Sequence, residues 1–272
     1  MIFEIDQTQT AAPLFEGWQE SVIWSCLQNV MGKLYGDAKE NPVSAMILLG
    51  DFGFPAGKPS QELILEGPKM YGQWANTVDG AKGHVTGEEN RMEGIIVPQN
   101  KAWADLIEEN YGEKAKKVTR YAIKKEPGIF DRDKLQKVVD GLPEGYELKM
   151  IDEELFHRCG KIQWCRDWVS NYENYAMYQK YGLGAVVLKG GEPVSGAASY
   201  SGFLGGIEIE IDTREDYRRK GLAYICGAKL ILECLSRNWY PSWDAQNKWS
   251  VALAEKLGYH FDHEYTAYEI YT

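Results

Sequence analysis

The 272-residue chain lacks any run approaching the length of a membrane span: no stretch of about 18 consecutive apolar residues occurs. Its first residues, MIFEIDQTQTAAPLFEG, carry Glu4 and Asp6 and no apolar segment, so no secretory signal is read there. Positive charge is short as well. Thirty Lys and Arg stand against forty Asp and Glu, a formal net charge of −10, which argues against a nucleic-acid partner, since such proteins present a basic face. The same balance suits a cationic small molecule by electrostatic steering. The five cysteines, Cys26, Cys159, Cys165, Cys226 and Cys234, are odd in number and form no C-x-x-C pair. They read as reduced thiols of a cytoplasmic protein, with Cys226 and Cys234 in the core of an apolar helix. Among the four histidines only His260 and His263 lie close in sequence. In a strand that spacing sends the rings to opposite faces, so no metal site is expected.

What is present suffices for a packed core without disulfides or metal: 44% of residues are hydrophobic and 26% charged. The apolar spacing predicts a helix over 13–34, a buried strand over 44–52 and a turn at 53–57, then irregular chain over 67–93, rich in glycine and polar residues. A strand at 94–97, a helix at 100–110 and a strand at 116–125 follow. A segment around Pro127, Gly128, Gly141, Pro143 and Gly145, holding a short helix at 131–140, separates two domains, 1–143 and 144–272. Beyond it the expected order is β-α-α-β-β-β-α-β-α-β, so the fold class is α+β (mixed α/β). Two apparent motifs are decoys. Gly57-Lys58 ends like a phosphate loop but continues into Pro59, and Asp51-Phe52-Gly53 has no H-R-D partner.

The segment Ile207 to Ala223 carries the chemistry. A strand alternates Ile207, Ile209 and Ile211 with Glu208, Glu210 and Asp212, then runs through Arg218-Arg219-Lys220-Gly221-Leu222-Ala223 into a helix. A strand–loop–helix of this kind can turn successive N–H groups toward one point, an anion site suited to a diphosphate. Gly221 allows close backbone approach. Here the chain resembles the GNAT acetyltransferase superfamily: Arg218-x-x-Gly221-x-Ala223 is similar to its Q/R-x-x-G-x-G/A signature. Asn247-x-x-Ser250, followed by Leu253-Ala254-Glu255-Lys256-Leu257-Gly258-Tyr259, is similar to its next element. The resemblance covers about 145–272 and looks most like the zwittermicin A resistance-type subgroup.

That resemblance implies a mostly antiparallel mixed sheet, splayed between its fourth and fifth strands around acetyl-CoA. It implies a strand-four bulge near Asp212-Thr213, phosphate-facing amides from Arg219 to Ala223 supported by Arg218, and a pantetheine contact from Asn247 with Ser250 beside it. A small-molecule amine would attack the thioester directly, with Glu210 or Glu208 as the base; an aminopolyol antibiotic or related amine is the implied acceptor. The family's usual general-acid Tyr is missing, because four residues before Gly258 stands Ala254; Tyr259, Tyr265, Ser250 or solvent could replace it. A non-catalytic acyl-CoA sensor and a transferase of longer acyl chains are the rival readings. The oligomeric state is not legible.

The N-terminal half echoes the C-terminal one. Gln99-Asn100-Lys101 recurs as Gln246-Asn247-Lys248, each followed by a helical pattern, a Tyr/Gly pair (Tyr111-Gly112, Gly258-Tyr259) and a strand tyrosine (Tyr121, Tyr268). The first half therefore reads as a degenerate copy. It lacks any Arg-x-x-Gly-x-Gly/Ala loop between the strands at 44–52 and 94–97, so coenzyme A is expected only in the second half.

Overall fold

A computed structural model describes residues 1–72 and 91–271. The chain packs into two compact units, Met1–Arg120 with Tyr265–Thr272, and Tyr121–Glu264.

Unit 1 opens with β1 (Phe3–Glu4), α1 (Ser21–Leu27), β2 (Lys33–Gly36), β3 (Ser44–Leu49) and β4 (Phe52–Gly57). It continues with α2 (Gln61–Tyr71), β5 (Met92–Ile96), α3 (Lys101–Tyr111) and β6 (Ala115–Ile123), whose last residues leave the unit. β1 to β4 pair antiparallel in sequence order, and β4 then pairs parallel with β5 at Phe52↔Ile95 and Gly53↔Ile96. The core of this unit gathers Met46, Leu48, Leu63, Ile64, Ile96, Trp103 and Ile107 with Tyr268 and Ile270 from the chain's end.

Three expectations for this half are corrected. The single helix over 13–34 is instead a 3-10 turn at Ala12–Phe15, the short α1 and strand β2. The chain is broken by residues with positive φ at Gly17, Asn29 and Gly32, conformations that a helix cannot contain. The turn at 53–57 is strand β4; its Pro55 is tolerated because β4 has already lost its β5 partner after Gly53. Part of the irregular 67–93 is the end of α2, and 73–90 lie outside the described residues. Pro68 inside α2 cannot donate to the Ile64 carbonyl. The Tyr111 hydroxyl donates to that oxygen instead, at 2.6 Å.

Unit 2 comprises the end of β6, α4 (Arg132–Asp140), β7 (Tyr146–Met150), α5 (Glu153–Cys159), α6 (Tyr175–Tyr181), β8 (Gly184–Lys189), β9 (Glu192–Phe203) and β10 (Gly206–Thr213). Then come α7 (Leu222–Ser236), β11 (Tyr240–Ser242), β12 (Asp244–Ala245), α8 (Lys248–Leu257) and β13 (Phe261–Tyr271), which ends in unit 1. Its five-stranded sheet has the order β11-β10-β9-β8-β7, antiparallel except for the parallel β10–β11 pair. The mixed α/β class and the mostly antiparallel sheet are as the sequence suggests.

The two units repeat one plan. In each, four antiparallel strands lead to a helix, a parallel fifth strand, a second helix capped by the Asn of Gln-Asn-Lys, and a last strand. The caps share a conformation: Asn100 has φ −157° and ψ 177°, Asn247 φ −157° and ψ 172°. The last strands are exchanged. In unit 1 β5 pairs with residues 268–271 of β13, and in unit 2 β12 pairs with Tyr121 and Ala122 of β6. The observed division therefore differs from the expected one at 143/144, which falls inside unit 2. The reason is packing. Ile123 and Leu135 belong to the unit 2 core with Ile207, Ile209, Leu230, Ile231 and Cys234, and Arg132 donates to the Leu235 carbonyl of α7 at 2.9 Å.

Candidate active site

β10 places its side chains by alternation. Ile207, Ile209 and Ile211 pack with α7, which turns Glu208, Glu210 and Asp212 to the opposite face. β10 pairs with β11 only from Gly206↔Tyr240 to Glu208↔Ser242. From Ile209 onward the two strands part, and the next short strand, β12, pairs elsewhere. A cleft thus opens along the second half of β10, with Glu208 at its apex. Glu208 is 6% exposed and its Oε2 accepts a 2.6 Å hydrogen bond from the Ser242 hydroxyl. Glu210, one pleat toward the mouth, is half-buried.

The expected bulge near Asp212-Thr213 is corrected. Register with β9 runs without a break from Ile209↔Ser199 to Thr213↔Ser195. The shift falls between Glu208 and Ile209, and the extra residue is Tyr200 of β9. A bulge increases local twist, which accounts for the two strands parting immediately afterwards. Asp212 and Thr213 are tied to β9 instead: Ser195 Oγ lies 2.7 Å from Thr213 Oγ1 and donates to the Asp212 carbonyl at 3.4 Å.

The loop after β10 has an unusual backbone. Arg219 (φ 60°) and Gly221 (φ 78°) both adopt the left-handed conformation, which costs a non-glycine residue roughly 1–2 kcal/mol. Among the described residues no acceptor takes the N–H groups of Arg219, Lys220, Gly221, Leu222, Ala223 or Tyr224; the first return bond of α7 is Ile225 N–H to the Gly221 carbonyl. No side chain caps the helix. A Cβ added at Gly221 would meet no described atom within 4 Å, so the space beside that residue is open. Arg218, Arg219 and Lys220 are exposed around them. The cations are held in place. Arg218 Nε donates to the Thr213 carbonyl at 3.3 Å, and Lys220 Nζ donates to the Asp216 carbonyl at 3.0 Å while lying 4.3 Å from the Tyr217 ring centre. Two hydrogen bonds from Arg214 hold the Asp216 carboxyl below its ordinary range. These residues fit a diphosphate-bearing cofactor such as coenzyme A, on the strength of the unsatisfied amides and the cradle left open at Gly221.

Across the cleft, Asn247 caps α8: its Oδ1 accepts from the Ser250 N–H at 3.0 Å. The Ser250 hydroxyl accepts from Trp243 Nε1 at 3.1 Å and keeps its own proton to donate. Of the stand-ins for the absent tyrosine, Tyr259 is fully committed. Its hydroxyl donates to the Pro241 carbonyl at 2.7 Å, and burial drives its pKa well above the ordinary value. Tyr265 belongs to unit 1, where it accepts from Arg120. Ala254 is wholly buried. Sequence reading missed Ser242 and its bond to Glu208, because a serine in a short apolar strand carries no local signal.

The corresponding cleft of unit 1 is closed. The α2 N-terminus is capped by Ser60, which accepts from the Leu63 N–H. Gln99 accepts from the Gly57 N–H at 3.0 Å and donates to the Leu14 carbonyl at 2.6 Å, while Trp103 Nε1 donates to the Gly57 carbonyl at 3.0 Å.

The sequence profile of the GNAT acetyltransferase family matches residues 12–268. An uncharacterized N-acetyltransferase of Bacillus subtilis (strain 168), YdfB, is 33% identical over 249 residues, covering 89% of this chain and 86% of that protein. The crystal structure of a GCN5-related N-acetyltransferase-like protein from Streptococcus suis is 46% identical, with a TM-score of 0.85 over 97% of this chain and 98% of the other. A GCN5-related N-acetyltransferase from Sphaerobacter thermophilus, 13% identical, shares the fold with a TM-score of 0.51, covering 98% and 94% of the two chains.

Proposed function

Starting from the premise that the chain belongs to the GNAT acetyltransferase family, we propose that this acyltransferase moves the acetyl group of acetyl-CoA to a small-molecule primary amine in unit 2. The observation that carries the reading is the run of six unsatisfied amides opening α7 beside the parting of β10 from β11. The amides of Arg219 to Tyr224 would hold the diphosphate, with Arg218, Arg219 and Lys220 adding charge. Asn247 and Ser250 would flank the pantetheine arm. When bound, acetyl-CoA supplies an activated thioester.

Glu208 is the base of this reading. It stands where the strands part, at the closed end of the cleft, whereas Glu210 sits one pleat toward the mouth. Glu208 takes the surplus proton of the acceptor ammonium, directly or through water, and passes it to solvent. The freed amine nitrogen bonds to the carbonyl carbon, the carbon–sulfur bond breaks, and the nitrogen gives up its second proton. Ser250, with a hydroxyl proton to give, would protonate the thiolate and regain through water the proton that the nitrogen lost, so that coenzyme A leaves as the thiol.

The acidic chain and the three carboxylates on one face of β10 support a cationic acceptor. An aminopolyol of the kind that the zwittermicin A resistance-type subgroup modifies is the specific candidate, in an antibiotic-resistance role. Unpaired cysteines, all buried among the described residues, support a reducing, cytoplasmic setting, and no helix of the described residues is long and apolar enough to cross a membrane. Unit 1 is read as a degenerate copy that does not bind coenzyme A.

Coenzyme A release from acetyl-CoA, measured with ethanolamine, putrescine, spermidine and glucosamine, tests the reading. Release above the amine-free rate with at least one of them is expected, and Glu208→Gln should lower kcat by roughly 10²–10⁴-fold with acetyl-CoA binding retained. Binding of acetyl-CoA without release for any amine would favour an acyl-CoA sensor, a reading for which Ala254 speaks. Faster turnover with longer acyl-CoAs would shift the donor.

A further inference from the structure

Three residues stand side by side across three neighbouring strands of unit 2. Ser201 of β9 and Ser242 of β11 are both register partners of Glu208 on β10. Cross-strand partners share a face, so the row reads Ser201–Glu208–Ser242 on the face opposite α7. The two serines are completely buried and Glu208 nearly so. Ser242 donates to Glu208 Oε2. The Ser201 hydroxyl has no hydrogen-bond partner among the described residues.

The same row exists in unit 1, where it is apolar. Leu49 is the register partner of Phe52, and Phe52 that of Ile95. The positions correspond: Ile95 and Ser242 each stand four residues before the Gln of Gln-Asn-Lys, and each is a parallel register partner of its unit's fourth strand. The fold thus builds this row from Leu, Phe and Ile, with the Arg120 guanidinium 4.8 Å from the Phe52 ring centre. Burying a carboxylate and an unsatisfied hydroxyl there is costly, so packing alone does not explain the substitution in unit 2.

We infer that Ser201 and Ser242 complete an amine-receiving row around Glu208. Ser242 is a positioning residue: its hydrogen bond fixes one carboxylate oxygen, so that the carboxylate keeps a single orientation toward the acceptor. Ser201 contacts the acceptor, its free hydroxyl oxygen accepting one N–H of the incoming amine while Glu208 accepts the proton that is lost. This inference rests on the reading of Glu208 as the base.

The full-length protein tests it, with the best amine of the panel above or, where none exceeds the amine-free rate, with acetyl-CoA hydrolysis. Ser242→Ala should lower kcat about 10- to 100-fold, the range for a hydrogen bond to a charged group, with acetyl-CoA affinity unchanged, and Ser242→Thr should restore most of it. In a Glu208→Gln background, Ser242→Ala should cost almost nothing more, since the two residues act as one unit. Ser242→Cys, of similar volume and a weaker donor, should fall between wild type and Ser242→Ala, and supports the comparison if the alanine variant does not fold. Ser201→Ala should raise KM for the amine severalfold and leave acetyl-CoA affinity alone. Equal losses from Ser242→Ala in both backgrounds, or no loss in either, would overturn the positioning role, and an unchanged amine KM in Ser201→Ala would overturn the contact. Wild-type turnover by Glu208→Gln would instead remove the base itself, a failure of the underlying reading that the single serine variants do not mimic.

Discussion

Units 1 and 2 share one arrangement of strands and helices and have opposite clefts. In unit 2 the helix after the fourth strand opens behind two left-handed residues, with no side-chain cap and with six amides that have no acceptor among the described residues. In unit 1 the equivalent helix is capped by Ser60. The side chains of Gln99 and Trp103 occupy both polar groups of Gly57 at the end of β4. Trp103 and Ser250 are equivalent, each three residues after the capping Asn: a fully buried indole stands where unit 2 has a small hydroxyl. The difference lies less in the fold than in which backbone groups the side chains leave unsatisfied. A capping serine, one glutamine and one large aromatic occupy in unit 1 what unit 2 leaves open.

Removing the plug should have the largest effect. Trp103→Ser takes away a buried indole and its hydrogen bond, and should destabilise the protein by about 3–5 kcal/mol, the usual range for truncating a core aromatic. Denaturant unfolding measures it. No new acetyl-CoA site should appear in calorimetry, because Ser60 still caps α2; a second site would break the comparison. The reverse exchange, Ser250→Trp, should plug unit 2 and weaken acetyl-CoA by at least about 100-fold, or roughly 2.7 kcal/mol, while circular dichroism stays that of the wild type.

Charge at the loop comes next. Gly221→Glu should weaken acetyl-CoA at least about tenfold, near 1.4 kcal/mol, since a carboxylate would stand among amides suited to phosphate. Unchanged binding by a folded variant would remove the loop from the cofactor site. Smaller again is Ser60→Ala, expected to cost about 1 kcal/mol of stability through the lost cap and to leave acetyl-CoA affinity as it was. A change in that affinity would show that the two clefts are not separate.

A further effect is alkaline and grows with pH. Burial pushes the Cys26 and Cys226 thiols, one in each unit, up to about 12. In the unfolded chain a thiol ionises near 8.5. Folding therefore keeps protons that the unfolded state releases, and stability should decline as pH rises from about 8.5 toward 12. Melting temperatures across that window, compared between wild type and Cys26→Ala or Cys226→Ala, measure each unit's share. The same burial should leave native thiols slow toward a thiol-reactive dye, giving a low background for detecting released coenzyme A.

Much of this was written locally in the chain. The alternation of Ile with acids along β10, the Arg-x-x-Gly-x-Ala loop and the capping Asn before each helix involve neighbours in sequence, so residue spacing alone announces them. The repeat of Gln-Asn-Lys is likewise local, and each copy supplies the capping Asn of a helix. Helix α2 was hidden because Gly67 and Pro68 read as a break. It survives since Tyr111, more than forty residues away, satisfies the carbonyl that Pro68 leaves unbonded. The bulge was misjudged because its extra residue lies on β9 rather than on the strand whose sequence suggested it.

The sequence by itself determined a mixed α/β acyltransferase with a strand–loop–helix at 207–236, because helix starts and strand faces depend on residues a few positions apart. Only the tertiary structure decided where the units divide, which cleft stays open and what surrounds Glu208. The exchange of β6 and β13, the plug of Gln99 and Trp103 on Gly57, and the row Ser201–Glu208–Ser242 each join segments tens of residues apart. The physical reason is that pairing and burial at such distances follow from how whole strands register and pack, which no local pattern of residue types encodes.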